Sequence, residues 1–119
     1  MQKNQINKIH NQDCILGMKN IPDESCDLII ADPPYNLDKD FGEYKESENK
    51  ERWLEWSKTW INECKRVLSP KGSIFVYGIH HHLCWLQCHM IEIKLKYRRQ
   101  VIWNYENGFS GYKNNLQAH

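Results

Sequence analysis

The amino-acid sequence predicts an α/β fold with a mostly parallel sheet, and three observations carry that prediction. Two short runs, Leu28-Ile29-Ile30-Ala31 and Ser73 to Tyr77 ("SIFVY"), are apolar almost throughout, as strands covered on both faces are. Between them Trp53, Trp56, Trp60, Cys64 and Val67 recur at three and four, the spacing of an amphipathic helix. Strand-like and helical segments alternate along the chain. That order is the grammar of a parallel sheet, in which ligands gather at the carboxyl ends of strands.

Taken in order, Ile6 to His10 reads as a short strand, and Asp13 then occupies an N-cap position ahead of "CILGM", a brief helix with Ile15, Leu16 and Met18 on its apolar side. Residues 21–25, "IPDES", carry turn chemistry and lead into the apolar run at 28–31. Residues 37–50, "LDKDFGEYKESENK", are charged and read as a solvent-exposed, mobile loop. The amphipathic helix spans Lys50 to Leu68, with Leu54, Ile61 and Leu68 beside the main stripe. Its three tryptophans can be read as stacking platforms for bases, but their spacing favours core packing for Trp56 and Trp60.

Ser69-Pro70-Lys71-Gly72 ends that helix, "SIFVY" follows as the second strand, and Gly78 breaks it. A further helix is expected over 81–93, with Leu83, Leu86, Met90 and Ile93 inward, then a strand from Tyr97 to Asn104. The tail from Glu106 to His119 has two glycines and three asparagines and reads as loop.

The totals bound the function. At 119 residues the chain is one domain or part of one. Sixteen Lys and Arg against fifteen Asp and Glu give a net charge of +1, so any contact with nucleic acid must be local. Lys94, Lys96, Arg98 and Arg99 form one local basic cluster that suits a phosphate, although a solvated turn explains it as well. Five cysteines with no signal-peptide pattern predict free thiols in a reducing cytoplasm. No run approaches the length of a membrane span, and a soluble protein is expected. Cys84 and Cys88, four apart and preceded by His80, His81 and His82, admit a metal site, but paired short zinc spacings are missing and no metal is expected. The three histidines follow a strand and can instead line a site there, or simply start a helix.

The densest chemistry sits where the first apolar run ends, in Asp32-Pro33-Pro34-Tyr35-Asn36. A strand-stopping turn is the plain reading of Pro33-Pro34. The four residues 32–35 also suit methyl transfer to an exocyclic amino group of a base, whose nitrogen is a poor nucleophile because its lone pair is delocalised into the ring. Asp32 and the Pro33 carbonyl can accept hydrogen bonds from that amine, favouring its cation-like transition state. The prolines fix φ and offer no competing N–H. Tyr35 offers a flat face for a base rotated out of the duplex.

"DLIIADPPYN", preceded by "NKIHNQDC" and followed by "VLSPKGSIFVYG" and "VIWNYENGFSGYKNN", resembles the amino-terminal part of a β-class bacterial DNA adenine-N6 methyltransferase of the restriction-modification kind. The resemblance implies a Rossmann-like S-adenosylmethionine-dependent methyltransferase fold, with Asp32, Pro33, Pro34 and Tyr35 as the catalytic motif. It also implies that Asp32 lies close to the bound S-adenosylmethionine and that Asp13 and Cys14 border its adenine. A helix cap and nothing more remains the alternative for Asp13. Asn36 would help to shape the pocket, and DNA would be the substrate. N4 methylation of cytosine is the neighbouring chemistry, for which Ser more often replaces the acid; Asp32 tilts the expectation to adenine.

The family's sheet has the order 3-2-1-4-5-7-6, and Ile6 to His10, Asp27 to Ala31, Ser73 to Tyr77 and Tyr97 to Asn104 match its strands 3, 4, 5 and 6. Strands 1, 2 and 7, the FxGxG segment that holds the methionine end of the cofactor, and a target-recognition region have no match here. Residues 1–119 are therefore expected to be a single partial catalytic domain lacking several strands, either a truncated or split gene product or the first part of a longer enzyme, with a complementary chain carrying FxGxG or a homodimer as the expected partner. An inactive remnant or a noncatalytic binding subunit is the rival expectation.

Overall fold

The computed structural model describes residues 3–36, 49–104 and 106, and the loop expected over 37–48 and the tail from 107 onward lie outside them. After a 3-10 turn at Lys3–Gln5 come helix α1 (Cys14–Met18), strand β1 (Cys26–Ala31), helix α2 (Lys50–Val67), strand β2 (Leu68–Val76) and helix α3 (His80–Glu92). β1 and β2 pair in parallel, with Ile29 opposite Ile74 and Ala31 opposite Val76. A right-handed crossover through a helix is the usual way to join two such strands, and α2 is that helix.

α2 forms where its apolar stripe predicts. Asn49 caps it, the side chain accepting from Arg52 N at 3.0 Å, and Lys65 and Arg66 in the last turn complement the helix dipole. Trp53, Trp60, Ile61, Cys64 and Val67 are buried along it, while Trp56 is half-buried, its ring centroid 6.5 Å from that of Trp60. Leu86 of α3 joins this core, and Ile29, Ala31, Ile74 and Val76 pack on it from the sheet. Burying side chains such as Ile61 and Leu86 is worth roughly 1.5–3 kcal/mol each, so the face of α2 is the organising centre.

Arg66 ties the preceding segment down. Its guanidinium donates to the carbonyls of Met18 (2.6 Å) and Ile21 (2.9 Å) and to the carboxylates of Asp23 (2.6 Å) and Glu63 (2.8 Å). At the start of β2 the chain bulges between Leu68 and Ser73, where they pair with Cys26 and Leu28. Gly72 is required there: a Cβ would lie 2.9 Å from the Cys26 carbonyl oxygen and 2.7 Å from Leu68 Cδ1.

Three expectations change. β1 is covered on one face only: Leu28 and Ile30 are 58% and 64% exposed, because α2 and its neighbours pack against the opposite side. Residues 6–10 and 97–104 form no strand; Ile9 is fully exposed and Val101, Ile102 and Trp103 are about two-thirds exposed. A strand needs a neighbouring ladder to take up its N–H and C=O groups. In the order the resemblance implies, neither segment borders β1 or β2, so neither has an edge to join.

Candidate active site

β1 ends at Ala31, and its ladder is extended by one bond from Tyr77 N to the Ala31 carbonyl at 2.9 Å. Residues 32–36 therefore begin at the carboxyl edge of a parallel sheet, where the sequence expects a site. Asp32 is exposed there, and Pro33, Pro34, Tyr35 and Asn36 are half-buried. Asn36 has φ 59°, a left-handed conformation that asparagine tolerates better than most residues, and it turns the chain away from the motif.

The motif folds back on itself. The Tyr35 hydroxyl donates to Asp32 Oδ1 at 2.7 Å, which fixes the carboxylate's orientation and leaves Oδ2 of this exposed residue as a further acceptor. Two helices then anchor its main chain. Trp53 Nε1 of α2 donates to the Pro34 carbonyl at 2.9 Å, and His82 Nδ1 of α3 lies 2.7 Å from the Tyr35 carbonyl. The two anchoring rings lie 5.2 Å apart, centroid to centroid. Among the described residues the Pro33 carbonyl has no such donor. The site thus offers an exposed carboxylate and, at the next residue, a main-chain carbonyl, with the half-buried Tyr35 bonded to the carboxylate.

The surroundings of His82 are aromatic and basic. Its ring stacks at 5.9 Å on Trp85, which carries Lys50 Nζ 3.6 Å above its centroid, a cation–π contact at the start of α2. His80 and His81 follow one another in edge contact, and burial, with the neighbouring His82 and His80, holds His81 below the usual histidine range. Of the three histidines it is His82 that reaches the motif. The pairing of Trp53 with Pro34 escaped sequence reasoning because a tryptophan at helical spacing looks like core, and it is core, 4% exposed. Only its indole N–H turns toward the site.

Asp13 and Cys14 have different neighbours. Asp13 caps α1, Oδ1 accepting from Leu16 N at 3.0 Å, so its capping role is real. Cys14 is exposed and lines a cleft of about 430 Å³ with Gln12, Gly17, Met18 and Ile21, and residues 32–35 are not among its walls. α1 is held against the far part of α2, where Cys64 Sγ contacts Met18 Sδ at 3.9 Å and burial pushes the Cys64 thiol up to about 12. The basic residues Lys94, Lys96, Arg98 and Arg99 are exposed beyond α3. No group of three or more His, Cys, Asp or Glu gathers to hold a metal ion among the described residues. None of the helices is long and apolar enough to cross a membrane, again among the described residues.

A family model described as DNA methylase matches residues 26–119, a span that contains residues 32–36 and excludes Asp13 and Cys14. The chain is 40% identical over 97 residues to the type II methyltransferase M.BamHI of Bacillus amyloliquefaciens, covering 81% of this chain and 23% of that protein. It is 35% identical over 95 residues to the type II methyltransferase M.HpaI of Haemophilus parainfluenzae, covering 79% and 30%. With the DNA adenine methyltransferase YhdJ of Escherichia coli (strain K12) it shares 32% identity over 106 residues, covering 87% and 35%. The chain spans about a quarter to a third of the length of these relatives.

Proposed function

This chain belongs to the N6/N4 DNA methylase family, and from that premise we propose that the whole protein transfers a methyl group from S-adenosylmethionine to N6 of adenine in DNA. The observation that carries the reading is Asp32, held by the Tyr35 hydroxyl at the carboxyl end of β1 and followed by a Pro33 carbonyl that has no hydrogen-bond donor among the described residues. Two adjacent acceptors are what an exocyclic amine needs. Its two N–H groups would donate to Asp32 Oδ2 and to the Pro33 carbonyl, drawing the nitrogen toward tetrahedral geometry and freeing its lone pair. Asp32 then stabilises the positive charge that grows on nitrogen, and the Tyr35 ring takes the stacking energy that the base loses on leaving the duplex. Most of the acceleration is positional, since the prolines hold the carbonyl without conformational freedom.

The residues present fit the methyl donor in part. Asp32, exposed at a strand end, would also lie close to the bound donor. Cys14 and Gly17, in the cleft beside α1, would border the adenine of S-adenosylmethionine, with Asp13 next to them. When bound, the cofactor supplies an electrophilic methyl group on a sulfonium. The segment that would cradle its methionine end has no counterpart among these 119 residues. A partial Rossmann-like catalytic domain is the consistent picture, with further strands joining at the open edges of β1 and β2. Those strands would come from the rest of the polypeptide, from a complementary chain, or from a second copy. Five free cysteines fit a reducing bacterial cytoplasm.

The carboxylate favours adenine over N4 of cytosine, the neighbouring chemistry within the same family. The reading is tested by transfer of labelled methyl from S-adenosylmethionine to DNA by the whole protein. Asp32→Ala should lower the rate by about 10²–10³-fold, the cost of removing one preorganised acceptor. An unchanged rate would overturn the assignment of Asp32.

A further inference from the structure

We propose that Trp53 and His82 are positioning residues of the methyl-transfer site. They take up the Pro34 and Tyr35 carbonyls so that the Pro33 carbonyl alone is presented to the substrate amine. The inference rests on the reading of residues 32–35 as the catalytic motif.

Three successive carbonyls leave the motif, and only one is useful to an amine held by Asp32. With φ fixed at both prolines, the remaining freedom lies in ψ at residues 33 to 35, and rotation there would exchange one carbonyl for the next. Trp53 Nε1 blocks that exchange at Pro34, and His82 Nδ1 blocks it at Tyr35. Both are strong constraints for physical reasons. A buried indole N–H has no alternative role but donation, and Trp53 is 4% exposed, so releasing Pro34 would strand a donor in the core. A carbonyl oxygen can only accept, so His82 must carry a proton on Nδ1, which sets the ring's tautomer and leaves Nε2 as the acceptor when the ring is neutral.

The two donors also support one another. They come from different helices, α2 and α3, yet their rings lie 5.2 Å apart, and His82 is backed by Trp85 at 5.9 Å. The motif's main chain is thus referenced to both helices at once. A displacement of about 1 Å at a reacting group can cost on the order of a hundredfold in rate, which is the scale on which such supports matter.

The test uses the whole protein with S-adenosylmethionine and DNA, comparing wild type with Trp53→Phe, His82→Leu, His82→Asn and His82→Gln. Trp53→Phe keeps a ring and loses the donor; it should lower kcat about tenfold to a hundredfold while KM for S-adenosylmethionine stays within about twofold. His82→Leu should do the same. His82→Asn, whose amide nitrogen occupies the place of Nδ1, should recover most of the rate, and His82→Gln, one bond longer, should not. Independently of activity, nitrogen NMR of histidine-labelled wild-type protein should show His82 protonated at Nδ1. Equal kcat in all variants, or the Nε2–H tautomer, would overturn the proposal while leaving the catalytic reading intact. Wild-type protein that transfers no methyl group would overturn both.

Discussion

Tyr35 and Asp32 show how one hydrogen bond can fix two side chains at a strand end. The hydroxyl occupies Oδ1 and so orients Oδ2, while the ring carrying that hydroxyl remains half-buried beside it. The same scale separates the cysteines. Cys64 is held as a thiol by burial, with its proton lost only at about 12, whereas Cys84 and Cys88 are exposed on α3. A maleimide at pH 8 is therefore expected to modify Cys84 and Cys88 in the folded protein and Cys64 only after unfolding, as peptide mapping by mass spectrometry would reveal. Cys14, although exposed, should lag behind them, because partial burial and then the adjacent Asp13 raise its thiol above the usual range.

At the level of elements, α3 ends in a Schellman turn closed by an unusual residue. Lys94 N donates to the Ile91 carbonyl at 3.0 Å and Leu95 N to the Met90 carbonyl at 2.9 Å, with Lys94 at φ 70° where glycine is the common choice. Lys94→Gly should raise the free energy of unfolding by about 1 kcal/mol by relieving the strain of a left-handed non-glycine residue, readable by chemical denaturation. At the end of α2, Arg66 holds the Glu63 carboxyl below its usual range, chiefly through the hydrogen bonds between them. The folded state therefore gives up that proton at lower pH than the unfolded chain does. The stabilisation is complete above the ordinary carboxylate range and disappears as pH falls through the lowered value. Glu63→Gln should cost about 1 kcal/mol or less at pH 7, and acid-denaturation curves should show the difference vanish once the pH falls below the lowered carboxyl range.

These elements also mark what the sequence could and could not tell. α1, α2 and α3 were legible from caps and apolar spacing to within a residue or so, β1 from its apolar run, and β2 only over 73–76, because residues 69–72, expected as the turn that ends α2, already belong to the strand that starts where Leu68 meets Cys26. The segments at 6–10 and 97–104 have strand-like composition but no paired neighbour, and composition cannot report a missing ladder. The motif's place at the carboxyl end of β1 was legible from the apolar run before it. Its anchoring by Trp53 and His82 was not, since those contacts span 19 and 47 residues and depend on how two helices meet the sheet edge.

Across the whole molecule, the helices lie on one face of the two-stranded sheet. Leu28, Ile30 and Phe75 stand on the other, with Tyr77 beside them and the Trp103 ring 6.1 Å from it. Exposed apolar side chains on a strand pair are surface that a larger sheet or a covering layer would bury. The relatives, about three to four times as long as the stretch they share with this chain, have the length to supply such a layer. On the proposed reading, residues 32–35 form the catalytic edge of a longer methylase. The most direct measurement is the nucleoside composition of DNA after incubation with the whole protein and S-adenosylmethionine, read by mass spectrometry. N6-methyldeoxyadenosine is the predicted product; DNA carrying no new methyl group, or N4-methyldeoxycytidine alone, would contradict the account.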